Sequence, residues 1–161
     1  MMHVAIGGLF EINAILSRGL MGVDPYTGQR FAKADELPVG IFRHLRRLHR
    51  AIKDELEIIS PDHKVFVEKW VVDGKFPAPD ADNFAEFSTA RNEFFGELAV
   101  IPFATPFNLG LIKDDAVVPT ELIGLMEEVN EVIEKEMKEN ETPPATADTD
   151  KGPESPKANA N

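Results

Sequence analysis

The chain has 161 residues, 43% of them apolar and 28% charged, with 11 phenylalanines. That is enough for one domain with a buried core and too short for two comfortable ones. Its formal charge of −11 opposes any general coating of nucleic acid or anionic lipid. It has no cysteine, which excludes disulfide frameworks, thiolate metal sites, iron–sulfur clusters and cysteine nucleophiles.

The N-terminal stretch is apolar but lacks a basic leader and carries Glu11 and Arg18, so it does not read as a secretory signal, and a cytoplasmic fate is expected. No uninterrupted apolar run reaches the roughly 18 residues of a membrane span, and no membrane is expected among the partners. Within this stretch Ile6, Leu9, Phe10, Asn13, Leu16 and Leu20 follow helical spacing, which predicts a first helix over 4–20 closed by the turn residues Asp24 to Gly28.

Ile41, Leu45, Leu48, Ile52, Leu56 and Ile59 recur at steps of three and four and predict a long amphipathic second helix beginning near Pro38. Ser60 and Pro61 either end it or restart it with Ser60 as cap. Phe66 and Trp70 keep the same stripe beyond the interruption, although the β-branched and aromatic residues of 61–72 also allow a strand. Asp73 and Gly74 mark a turn, followed by a proline-containing loop.

Asn83 with Glu86 three residues on predicts a capped third helix with Phe84, Phe87, Phe94, Phe95 and Leu98 on its buried face. Pro102, Pro106 and Gly110 break the apolar segment after it, where one or two short extended pieces are expected. Thr120 is placed as the cap of a last helix whose stripe is Leu122, Leu125, Met126, Val129, Ile133 and Met137, with Glu127, Glu128, Glu131 and Glu134 outside it. Residues 141–161 hold no aromatic and no Val, Ile, Leu or Met, and are expected to be a disordered tail contributing nothing to the fold. Residues 120–161 hold 11 acidic and 4 basic residues, so most of the negative charge lies at this end.

The expected architecture is mainly α. It comprises a helical hairpin, a third helix, a short extended or β element and a C-terminal amphipathic helix, within a domain spanning 1–140. Leu45, Ile52, Phe66, Phe87, Phe94 and Leu98 are expected to share one core.

One charged surface stands out. Arg43, Arg46, Arg47 and Arg50 fall on one side of the second helix, beside His44, His49 and Lys53, with no acid between 41 and 53. Such a face can receive an acidic protein partner or nucleic-acid phosphates, be plainly solvated, or dock the acidic last helix. The only concentrated opposite charge lies in this same chain, which favours solvation or internal docking.

No cofactor or metal site is expected. His44 and His49 are five residues apart, and His3 and His63 lie far from them. Asp80 and Asp82 imitate the start of a calcium loop, but Ala85 and Arg91 stand where glycine and a final carboxylate belong. Gly7 and Gly8 lack the partners of a phosphate loop, and Ser17, Ser60 and Ser88 lack a nucleophile setting. No catalytic residue is expected.

The pieces FEINAIL at 10–16, the Asp73–Gly74 turn, EFSTARNEFFGELAVIPF at 86–103 and PTELIGLMEEV at 119–129 together resemble a family of small proteins of unknown function encoded by tailed bacteriophages. The resemblance spans about residues 4–135 and leaves the DPYTG loop, the arginine stripe and the tail outside it. It implies a small accessory or assembly protein in the host cytoplasm or on the virion, working by binding a protein partner, either itself or a phage structural protein. It carries no site residues with it.

Overall fold

The structure, a computed structural model, describes residues 1–34 and 37–141; the segment expected to be a disordered tail lies outside them apart from Glu141. Its order is strand β1 (Met2–Ala5), helix α1 (Ile6–Met21), helix α2 (Val39–Trp70), helix α3 (Phe84–Gly96), strand β2 (Leu98–Ile101) and helix α4 (Thr120–Glu141). The fold is mainly helical, with a small two-stranded sheet. Among the described residues no helix is long and apolar enough to cross a membrane.

The first helix starts later than its periodicity suggests, because Met2–Ala5 pairs antiparallel with Leu98–Ile101, Met2 opposite Ile101 and Ala5 opposite Leu98. Alternation then decides burial: Ala99 and Ile101 face the core, while Leu98 is 64% exposed on the other side of the strand. Leu98 therefore belongs neither to the third helix nor to the core. Asn83 does precede α3, but its side chain makes no capping hydrogen bond. Phe87 is buried, whereas Phe84, Phe94 and Phe95 are only half-buried.

Helix α2 runs unbroken for 32 residues through Pro61, which settles 61–70 as helix. At 1.5 Å per residue it is about 48 Å long. Pro61 sits on the exposed side, where water can satisfy the carbonyl left without its donor. The chain then reverses in two residues: Asp73 and Gly74 both have positive φ, and Val72 and Lys75 exchange backbone hydrogen bonds of 3.0 Å. This is the geometry that a tight turn of the primed kind requires.

Helices α1 and α2 form the expected antiparallel hairpin, since Ser17 meets His49 near one end and Phe10 meets His63 near the other. Helix α4 packs on α1 where Gly19 leaves room for Leu122, and its stripe is buried from Leu122 to Ile133 but not at Met137, which is 54% exposed. Asn130 clamps the loop before it, accepting from Phe107 N at 2.6 Å and donating to Phe107 O at 2.9 Å.

The core is divided. Leu9, Leu16, Leu45, Leu48, Ile52, Leu122 and Met126 belong to the main cluster, whereas Phe66, Trp70 and Phe87 form a smaller aromatic one, with Phe94 and Phe95 packed against both. The single core expected from the sequence splits because α2 is so long. That helix lies against α1 from His49 to His63 and also against β2, and its last turns meet α3 through aromatic side chains large enough to bridge the gap.

Candidate functional site: a basic groove over a buried histidine

Arg43, Arg46, Arg47 and Arg50 are all exposed on the outer side of α2. None has an ion-pair partner among the described residues, and the only ion pair within α2 joins Lys64 to Glu68. Docking of this face on the acidic side of α4 does not occur. Glu127, Glu128, Glu131 and Glu134 are exposed, and α4 instead packs its apolar stripe against α1 and β1.

Arg46, Arg47, Arg50 and Lys53 line a shallow groove of about 530 Å³ whose near wall is Leu20 and Met21 from α1 and whose far end carries Asp54 and Glu57. Arg43 lies one turn outside it. The guanidinium of Arg46 rests 5.1 Å from the Phe42 ring, held by the attraction of a cation to a π face.

His49 forms the floor. It is 8% exposed, and its Nε2 lies 3.1 Å from Ser17 Oγ and 3.2 Å from Asn13 Oδ1. Asn13 donates through Nδ2 to the Tyr26 hydroxyl at 3.0 Å, and that hydroxyl donates to Phe10 O at 3.3 Å. With its amide nitrogen committed to Tyr26, Asn13 presents an oxygen to the imidazole, so Nε2 carries the proton and donates. A base that activates a serine must accept at that nitrogen, and Ser17 is fully buried besides. The Ser17–His49 pair is therefore a structural clasp between α1 and α2.

The DPYTG loop braces this clasp. Asp24 Oδ1 accepts from the backbone N–H of Tyr26 and Thr27, while Oδ2 accepts from Arg18, whose other nitrogen donates to Glu121 at 2.8 Å. Backbone donors from Thr27 and Tyr26, with Arg18 adding, hold the Asp24 carboxyl below its ordinary value.

Burial, with Lys53 adding, pushes the His49 imidazole below its ordinary value. The unfolded chain then takes up a proton first as pH falls, so stability is greatest above the unfolded value of about 6.5 and declines as pH drops through it towards the folded value. His49→Gln, which keeps a polar group and cannot titrate, is expected to flatten the fall in denaturation midpoint below neutrality. An equal pH slope in both proteins would show that His49 is not the group responsible.

The sequence pointed to the arginines and Lys53 but not to Asp54 and Glu57 as part of the same groove, nor to His49 as its floor. The available signal was polar Asn13 and Ser17, one helical turn apart on the inner face of α1 among the buried Leu9, Ala14 and Leu16. Two buried polar groups there need a partner from the facing helix. A second groove, of about 580 Å³, is walled by Phe10, Phe66, Phe76, Phe87 and Phe95 with Arg91 and His63 at its edge.

No known protein family, curated protein or solved structure matches the chain.

Proposed function

We propose that this is a non-catalytic accessory or assembly protein of phage type, acting in the host cytoplasm or on the virion, and that it binds an acidic segment of a protein through the outer face of α2. The observation that carries this reading is the row of four exposed guanidinium groups without ion-pair partners among the described residues, three of them around a groove. Arginine offers several donors in a planar fork suited to carboxylates, and a rigid helix presents them at fixed spacing. The braced His49 clasp beneath holds that helix in place.

Nucleic acid is the second reading, and two observations weigh against it: the net charge of −11 and the two carboxylates at the end of the same groove. The two readings separate by titration of the full chain with a labelled polyglutamate peptide and with duplex DNA. The peptide is expected to bind, to weaken with salt, and to lose affinity in the double variant Arg46→Ala/Arg47→Ala at unchanged melting temperature. Absence of peptide binding would sink the proposal. Tighter binding of DNA with a steep salt slope would transfer the surface to nucleic acid.

A further inference from the structure

We infer that the acidic segment this face accepts is its own counterpart on a second copy of the chain, the two α2 helices lying antiparallel about a two-fold axis at the level of Ile52. This rests on the protein-binding reading of the same face and names its partner.

The argument is one of register. At 3.6 residues per turn, Arg43, Arg46, Arg47, Arg50, Lys53, Asp54 and Glu57 fall within an arc of about 120° on α2. Val39, Ile58, Pro61 and Val65 lie along the same side. All are exposed: Val39 at 65%, Ile58 at 70% and Val65 at 64%, high values for large apolar side chains on one helix. The face is basic before its midpoint and acidic just after it.

An isologous dimer places residue i of one helix opposite residue j of the other, and j opposite i. About Ile52 in antiparallel register, Arg50 meets Asp54 of the second copy, Arg47 meets Glu57 and Val39 meets Val65, each pairing occurring twice. Arg43 then faces Pro61 and Arg46 faces Ile58, while Lys53, one residue past the axis, comes near its own symmetry mate with Asp54 of each copy beside the pair. The aliphatic stems of Arg46 can cover Ile58, as long basic side chains commonly do on apolar surface.

The same charges have a poor alternative within one helix. Arg50 with Asp54 and Lys53 with Glu57 are four apart, but with the basic residue first, the weaker order for such pairs, and neither pair forms an ion pair in the structure. Their charges remain available to a second copy. Since each contact is solvent-exposed at its edge, the dimer is weak, concentration-dependent and salt-sensitive.

Sedimentation equilibrium of the full chain at low salt tests this. The wild type is expected to dimerise, and Arg47→Glu or Glu57→Arg alone to raise the dissociation constant about tenfold or more by opposing like charges. The double variant Arg47→Glu/Glu57→Arg exchanges the two charges and is expected to recover the wild-type constant. Melting temperatures check that each variant folds. A wild type that stays monomeric at low salt, or a double variant no better than the single ones, overturns the inference. If the polyglutamate peptide still binds in that case, the face takes a foreign acidic segment and only the self-pairing is wrong. If peptide binding is also absent, both readings fall.

Discussion

Replacing Ile52 with alanine is expected to destabilise the fold by about 2–5 kcal/mol, the range for deleting a large aliphatic side chain from a packed interior. Ile52 is fully buried on the inner face of α2, in the main cluster with Leu9, Leu16 and Leu48. The loss has two parts: the apolar surface no longer removed from water, and the cavity left because two helices held by the His49 clasp cannot close over it. Leu98→Ala provides the contrast. Its side chain is 64% exposed on β2, so that change is expected to stay within about 0.5 kcal/mol. Denaturant midpoints at constant slope measure both, and an Ile52→Ala midpoint equal to that of the wild type would contradict the packing described.

The second large effect is expected at Gly22, the left-handed residue that ends α1. Its φ is 71°, its N–H donates to Arg18 O, and its own carbonyl accepts from Phe31 N at 2.8 Å. A Cβ there would stand 2.9 Å from Phe31 O, a backbone atom that cannot swing aside. Gly22→Ala thus meets two penalties. The left-handed backbone alone costs an L-residue roughly 1–2 kcal/mol, and relieving the contact breaks the loop that carries Asp24. Gly19 is a milder case. Its added Cβ would also stand 2.9 Å from an atom, but that atom is the end of the Leu122 side chain, which has rotamers to explore. Thermal melts should rank Gly22→Ala below Gly19→Ala, and the reverse order would show that the loop, not the α1–α4 contact, is the part that yields.

How far the sequence reveals this architecture depends on the range of the interaction. The α2 stripe from Ile41 to Trp70 was readable because its buried residues recur one or two turns apart on one face, and burial on one face leaves its period in the chain. The Asp73–Gly74 reversal was equally local, since two positive φ angles restrict the residues that fit. Strand β1 was not readable. Its four residues run into α1 without a turn or proline between them, and they become a strand only through a partner at Leu98–Ile101. Leu98 belongs to the same case, because it keeps helical spacing from Phe94 and Phe95 although it lies in β2, and nothing local marks the change. The arginines of the candidate site were visible as a spacing. Their floor was not, because it needs Asn13 and Ser17 on one helix to meet His49 on another.

The division of the interior determines what the molecule's own chromophore can report. Trp70 is the single tryptophan, and it lies in the small aromatic cluster on Phe87, outside the cluster around Ile52. Elements joined by few shared contacts can open as separate cooperative units. Tryptophan emission is therefore an observer stationed at one end of the protein. It follows the seam between the last turns of α2 and α3, and a disturbance of the α1–α2–α4 interior reaches it only when that seam also gives way. Circular dichroism, which weighs every helix by its length, is the signal that speaks for the body beneath the arginine face.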